Sequence, residues 1–270
     1  MRINEDIFFR KRDWIVRILG KTNVVGEISR NSKNMKLFSY IVANDYGLAP
    51  NPFWNSLTLA VCKPAIRRTA TKNDWVIGTG SKNVIDKNGH KVDHSGKLVF
   101  AMQVDKVLSL AEYDEHCKTL RSDLKYKLPH NNLFKNDWRH KVGDNIYDYS
   151  NCSKNIPGLR KVIHTEEDKE RDLGGLNALI SKHFYYFGNS TKKIPITNVV
   201  DLLKMEQGHL VLDDCIEKDK IVISEFLSWL KDNFIENKVY DNPQLYWDID
   251  NLIIKKKRCH KLKKAFNLDN

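Results

Sequence analysis

Residues 35–81 read MKLFSYIVANDYGLAPNPFWNSLTLAVCKPAIRRTATKNDWVIGTGS. Leu37 to Ala43 is a short, aromatic and β-branched run, as buried strands are. It leads into Asp45-Tyr46-Gly47 and then Ala49-Pro50-Asn51-Pro52-Phe53, where two prolines around one asparagine forbid regular helix or central strand and predict a rigid, shaped loop. Leu57 to Val61 opens a strand or a short helix that Pro64 is expected to end. Asp74 to Thr79 is a strand bounded by Lys72-Asn73 and by glycines. Small, cyclic and charged residues are denser here than scaffolding requires, which marks the stretch as the working surface.

Outward from it, Lys82–Lys97 reads as a hairpin or loop, and Leu98–Val104 as a third strand that continues through Val107-Leu108. Ser109 has the position of an N-cap, with Glu112 completing a capping box. Regularity lapses between Leu120 and Leu159, where Gly143-Asp144-Asn145-Ile146-Tyr147 is the most distinctive run. Phe184-Tyr185-Tyr186-Phe187-Gly188 reads as a strand. Ile223, Phe226, Leu227, Leu230 and Phe234 share one face of a helix over 221–234. The pattern predicts one α+β domain over 35–240, preceded by a basic extension (1–34) and followed by a basic tail (241–270). Residues 7–19 suit a basic helix, unless the working unit starts at Met35.

The formal charge of +11 is unevenly spread. Residues 1–34 carry +4 and residues 251–270 carry +6, leaving about +1 for 35–250. Attraction to polyanions, and its salt sensitivity, is thus expected of the tails. No apolar run approaches the ~18–20 residues needed to cross a membrane. The N-terminus lacks the apolar core of a secretion signal. The five cysteines are dispersed without CxxC spacing, which fits reduced thiols and a cytoplasmic location and gives no support for a zinc site.

Several spaced runs together resemble the nucleotide modification associated domain 2 family. They are Asp45-x-Gly47, Ala49-Pro50-Asn51-Pro52-Phe53, Thr58-Leu59-Ala60-x-Cys62-Lys63-Pro64-x-Ile66-Arg67, Asp74–Ser81, Gly143–Tyr147, His164, Asp172 and Ile180-Ser181-x-His183-Phe184-x-Tyr186-Phe187-Gly188. Leu48 departs from the pattern, which has an aromatic there, and Asn73 stands where a glycine is usual. The resemblance covers roughly 35–240 and implies a setting in the modification of DNA bases or nucleotides. The strand order also resembles the small PUA, EVE and YTH barrels that bind modified bases, which implies a curved, PUA-like sheet by fold analogy.

Asp45, Asp144, His164 and Asp172 form the candidate acid–base or metal set, since two carboxylates and an imidazole can shuttle protons or hold a divalent ion, although no HxH or HExxH spacing supports a metal. Asn51, Phe53, Lys63, Arg67, Trp75, Ser81, Asn145 and Tyr147 are the candidate ligand-binding residues. Asn51, held between prolines, offers a donor and an acceptor to a base edge, or else stabilises its own turn. Lys63, Arg67 and Arg68 suit phosphate or are surface charge. Tyr40, Phe53, Trp75 and Tyr147 can stack a base or fill the core. Asp45, Asn51, Arg67 and Asp144 are expected to line one pocket. Cys62 beside Lys63 is either an activated nucleophile or a core thiol whose neighbour faces solvent. His90 and His94 read as solvated. Gly78-Thr79-Gly80-Ser81 lacks the ending of a P-loop.

No cofactor is indicated and no metal is expected. The partners implied are a nucleotide or nucleic acid, with protein partners from a modification system and no membrane. Three function classes remain open: a module binding a modified base or nucleotide, an enzyme acting on one, and a scaffold.

Overall fold

The computed structural model of the protein describes residues 34–130, 137–150, 156–160, 163–203 and 208–253. The expected helix at 7–19 and most of the basic tail lie outside the described residues. The chain divides into two units, Met1–Lys33 and Asn34–Asn270, and every described residue belongs to the second.

The chain runs through β1 (Lys36–Val42), β2 (Leu57–Leu59), α1 (Pro64–Thr69), β3 (Trp75–Gly80), β4 (Val84–Ile85), β5 (Lys91–Val92), β6 (Lys97–Gln103), β7 (Lys106–Ser109) and α2 (Leu110–Lys118). It continues with β8 (Tyr147–Asp148), β9 (Gly158–Leu159), α3 (Glu166–Leu173), β10 (Asn177–Ser181), β11 (His183–Tyr186), β12 (Lys192–Lys193), α4 (Val199–Leu202), β13 (Leu210–Asp213), α5 (Glu217–Asn233) and β14 (Lys238–Val239). The fold is α+β. Among the described residues no helix is long and apolar enough to cross a membrane.

The main sheet has the order β13-β1-β3-β6-β11-β14, with β12 also paired to β6. β1 and β3 are parallel, from Leu37 opposite Trp75 to Val42 opposite Gly80. Such a pair needs a crossover, and here the crossover carries β2 and α1. A second antiparallel sheet, β2-β10-β7, is built on it. Alternation along the central strands then feeds two cores. Phe38, Tyr40, Val42, Val76, Met102, Phe184 and Tyr186 pack with Leu57, Leu59, Ile66 and Leu179 on one side. Leu37, Trp75, Ile77, Ala101, Tyr185 and Phe187 pack with Val222, Ile223, Phe226 and Leu230 of α5 on the other. β13 and β14 end the strand order and do not pair with each other, so the sheet is open. The expected closure into a PUA-like barrel is not formed among the described residues.

The capping box at Ser109 is present: Ser109 Oγ accepts from the Glu112 amide, and the Glu112 carboxylate accepts from the Ser109 amide. Pro64 begins a helix instead of ending an element, because at the first helical position its missing N–H is no loss. Residues assigned to the tail by charge, 241–253, pack on the body. Leu245 N–H donates to Asp45 O, and Ile249 and Ile253 join Leu48, Phe53 and Tyr147 in a third core.

The loop after β1 is held by buried polar groups. Asn51 Nδ2 donates to Gly47 O at 2.9 Å and to Val142 O at 2.7 Å. Lys127, fully buried, donates from Nζ toward Asn51 O, Asn51 Oδ1, Phe53 O and Ser56 O at 2.7–2.9 Å. Lys127→Met would remove the donor that joins these four oxygens, leaving Asn51 O to the Thr58 amide, and should cost about 3–5 kcal/mol. Gly78 tests the core separately, since a Cβ there would collide with Phe100 Cε1 and lie 2.6 Å from Val42 Cγ2. Gly78→Ala should lower the urea midpoint by the equivalent of about 1–3 kcal/mol. An unchanged midpoint in either variant would refute the packing described.

Candidate active site

The crossover from β2 to α1 turns on two consecutive non-glycine residues in the left-handed region, Cys62 (φ 57°) and Lys63 (φ 42°). Each costs about 1–3 kcal/mol and persists only where its surroundings hold it. Cys62 N–H donates to Asp172 Oδ1 at 2.8 Å. Cys62 O accepts from Arg67 Nε at 2.7 Å. Pro64 then sets the first helical φ. Strand alternation therefore does not apply at Cys62-Lys63, and both residues line one cavity of about 570 Å³.

Three side chains form a line at this cavity. His164 Nε2 lies 3.7 Å from Cys62 Sγ, and His164 Nδ1 lies 2.5 Å from Asp172 Oδ2. His164 precedes α3, whereas Asp172 occupies its last turn and is fully buried. Tyr147 O–H donates to Asp172 Oδ2 at 3.0 Å, and the Arg171 fork meets Asp172 Oδ1 at 3.2 Å. Arg171 Nη2 is also 3.9 Å from Cys62 Sγ and 3.0 Å from Asp168 Oδ1.

Both oxygens of Asp172 thus take two donor groups each. Cys62, His164 and Asp172 lie close enough to share a metal ion, but a carboxylate whose acceptor capacity is filled has no lone pair to give one. Burial favours neutral forms of Asp172 and His164. Against it, the bond and charge of each on the other, with Cys62 and Arg171, hold Asp172 down at about 2 and lift His164 to about 9.

Of the acid–base set, then, His164 and Asp172 meet, while Asp45 and Asp144 lie elsewhere. Asp45 accepts from Tyr186 O–H and Gly47 N–H, and burial raises it to about 6. Asp144 accepts from Thr58 O–H and Tyr113 O–H, both at 2.7 Å. Asp45, Asn51, Arg67 and Asp144 are each buried, and none lines the cavity. The reason is common to them: each side chain is consumed by the scaffold.

Arg67 donates to Ala60 O and Asn177 O at 2.8 Å and also to Asp172 O. Asn145 donates to Asp114, and Phe53 packs edge-on against Trp138. Trp75 belongs to the α5-side core, and the Ser81 carbonyl accepts from the His94 amide. Among the expected ligand-binding residues, Lys63 reaches the cavity. Arg171 is not singled out by the sequence. Its signal is its place beside Asp172 and one helical turn after Asp168.

An α+β protein with a Cys-His-Asp line, its cysteine and histidine on a cavity wall, is the class defined by this fold and site. The nucleotide modification associated domain 2 family matches residues 34–250, so the chain belongs to that family. No curated protein and no solved structure matches it.

The raised His164 predicts a pH signature. Relative to an ordinary value of 6.5, its contribution to stability is full below pH ~6.5 and is lost as pH rises through about 9. The melting-temperature gap between wild type and His164→Asn should be widest near pH 5.5–6.5 and close toward pH 10. A gap independent of pH would contradict the ion pair. Gly175→Ala provides a second check, because its Cβ would collide with the Arg67 guanidinium, 2.7 Å from Nε. It should lower the melting temperature and slow modification of Cys62 together.

Proposed function

We propose that the protein is a thiol-dependent enzyme acting on a nucleotide or nucleobase, with Cys62 as nucleophile, His164 as acid and base, and Asp172 as the group that orients His164. The observation that carries this reading is the run Cys62 Sγ–His164–Asp172, with its first two members on the cavity wall. With the imidazole held at about 9, His164 carries a proton at neutral pH within reach of Cys62 Sγ, the proposed nucleophile. The family's association with nucleotide modification supports a nucleotide or nucleobase as the substrate.

The reaction type that fits is acyl transfer or hydrolysis. The sulfur attacks a carbonyl carbon of an amide or ester, and an oxyanion forms on the carbonyl oxygen. As that oxyanion collapses, the bond to the leaving nitrogen or oxygen breaks. His164 passes its proton to that atom, and a thioester remains on Cys62. Water or an acceptor amine then attacks the thioester, His164 takes its proton, and the C–S bond breaks to restore the starting pair. Tyr147 and Arg171 keep Asp172 ionised and aimed at Nδ1 throughout.

Iodoacetamide labelling followed by peptide mass spectrometry tests the thiol. Cys215, exposed, and Cys117, buried, serve as references in the same chain. Cys62 should react about tenfold or more faster than Cys215 at pH 7. His164→Asn should erase that advantage, as loss of a general base typically costs about 10²–10⁴ in rate. Equal rates at Cys62 and Cys215, unchanged in His164→Asn, would refute the proposal.

A further inference from the structure

Resting on that reading, we infer that the substrate is presented as a phosphate monoester, a nucleoside monophosphate whose phosphate is met by Lys63 and Tyr40. Lys63 is a half-buried cation on the cavity wall. Its Nζ lies 3.3 Å from the Ile41 carbonyl and 4.2 Å above the Tyr40 ring. Among the described residues no carboxylate pairs with it, whereas the neighbouring Arg171 is paired with Asp168 and Asp172.

Tyr40 lines the same cavity, is 1% exposed, and leaves its hydroxyl without a hydrogen-bond partner among the described residues. A buried O–H donor with no acceptor and a desolvated ammonium with no paired carboxylate are each costly. One doubly charged oxyanion group relieves both costs, and phosphate offers enough acceptor oxygens to meet both donors. The remaining wall, with Tyr46, Leu48 and Ile66, is apolar enough to take a flat ring. A cavity of about 570 Å³ suits one nucleotide, not a strand.

The probes are the deoxynucleoside 5′-monophosphates, the matching deoxynucleosides, and a single-stranded 12-mer without terminal phosphates. The readout is protection of Cys62 from iodoacetamide, compared with and without probe within each variant. Monophosphates should protect about tenfold better than nucleosides in the wild type. Lys63→Met should abolish that preference, Lys63→Arg should keep most of it, and Tyr40→Phe should weaken it severalfold. If Lys63→Met fails to fold, the Tyr40→Phe and Lys63→Arg results decide.

Equal protection by nucleosides, no protection by any probe, better protection by the 12-mer, or a preference that survives Lys63→Met would each overturn the inference. The dependence of bare Cys62 labelling on His164 is read without any probe. Absence of a phosphate preference in the wild type, with that dependence intact, therefore refutes the phosphate alone.

Discussion

The structure depends on a guanidinium placed where no solvent reaches. Arg67 bonds four carbonyls, from Ala60 at the end of β2, Cys62 in the strained turn, Asp172 in α3, and Asn177 at the start of β10. These come from segments more than a hundred residues apart in the chain. A planar group with five N–H donors is the side chain able to satisfy them at once. Burial pulls its pKa down to about 10, with the Asp172 charge opposing, so it stays cationic at any physiological pH. Gly175 is part of the same device, because any Cβ there would occupy the guanidinium's space. The backbones of Cys62 and Asp172 are thereby bolted to one group.

This explains how far the site could be read from the sequence. The strands around Phe38, Val76 and Phe100 and the capped helix at Ser109 were legible, since each rests on local alternation or a local cap. The polar residues of the motifs were legible as special but not as to role. Asn51, Arg67, Asp144 and Asn145 spend their hydrogen bonds on backbone and side chains of the fold, and composition alone does not separate a polar residue that builds a wall from one that faces the cavity. His164 and Asp172 reach Cys62 only through the packing of α3 against the crossover, a contact with no sequence spacing to announce it. At Cys62-Lys63 the two-residue alternation of a strand was the wrong period, because the chain is left-handed there.

The two departures from the family pattern have physical readings. Asn73 has φ 76°, in the region that glycine enters freely and asparagine better than most other residues. Its substitution for glycine preserves the turn that delivers Asp74, whose carboxylate caps the Lys36 and Thr71 amides. Leu48 is buried in the cluster with Ile249 and Ile253, so an aliphatic side chain fills space there without needing a polar edge. Neither departure touches the Cys62–His164–Asp172 line.

What remains open at the cavity follows from what the scaffold has used. Asp172 is saturated, Arg171 is divided between two carboxylates and the sulfur, and Arg67 is committed to carbonyls. The groups left with unspent capacity are Cys62 Sγ, the Nε2 of His164, Lys63 Nζ and the Tyr40 hydroxyl. A pocket built only to hold a base has no need of two consecutive left-handed residues to lift a sulfur toward an imidazole. Nor does it need four donor groups to keep the carboxylate behind that imidazole ionised. The costs of about 1–3 kcal/mol per strained residue and of a buried carboxylate are met by bonds that all fix the direction of one sulfur–imidazole contact. That concentration of restraint supports the proposed nucleophile over a binding surface alone.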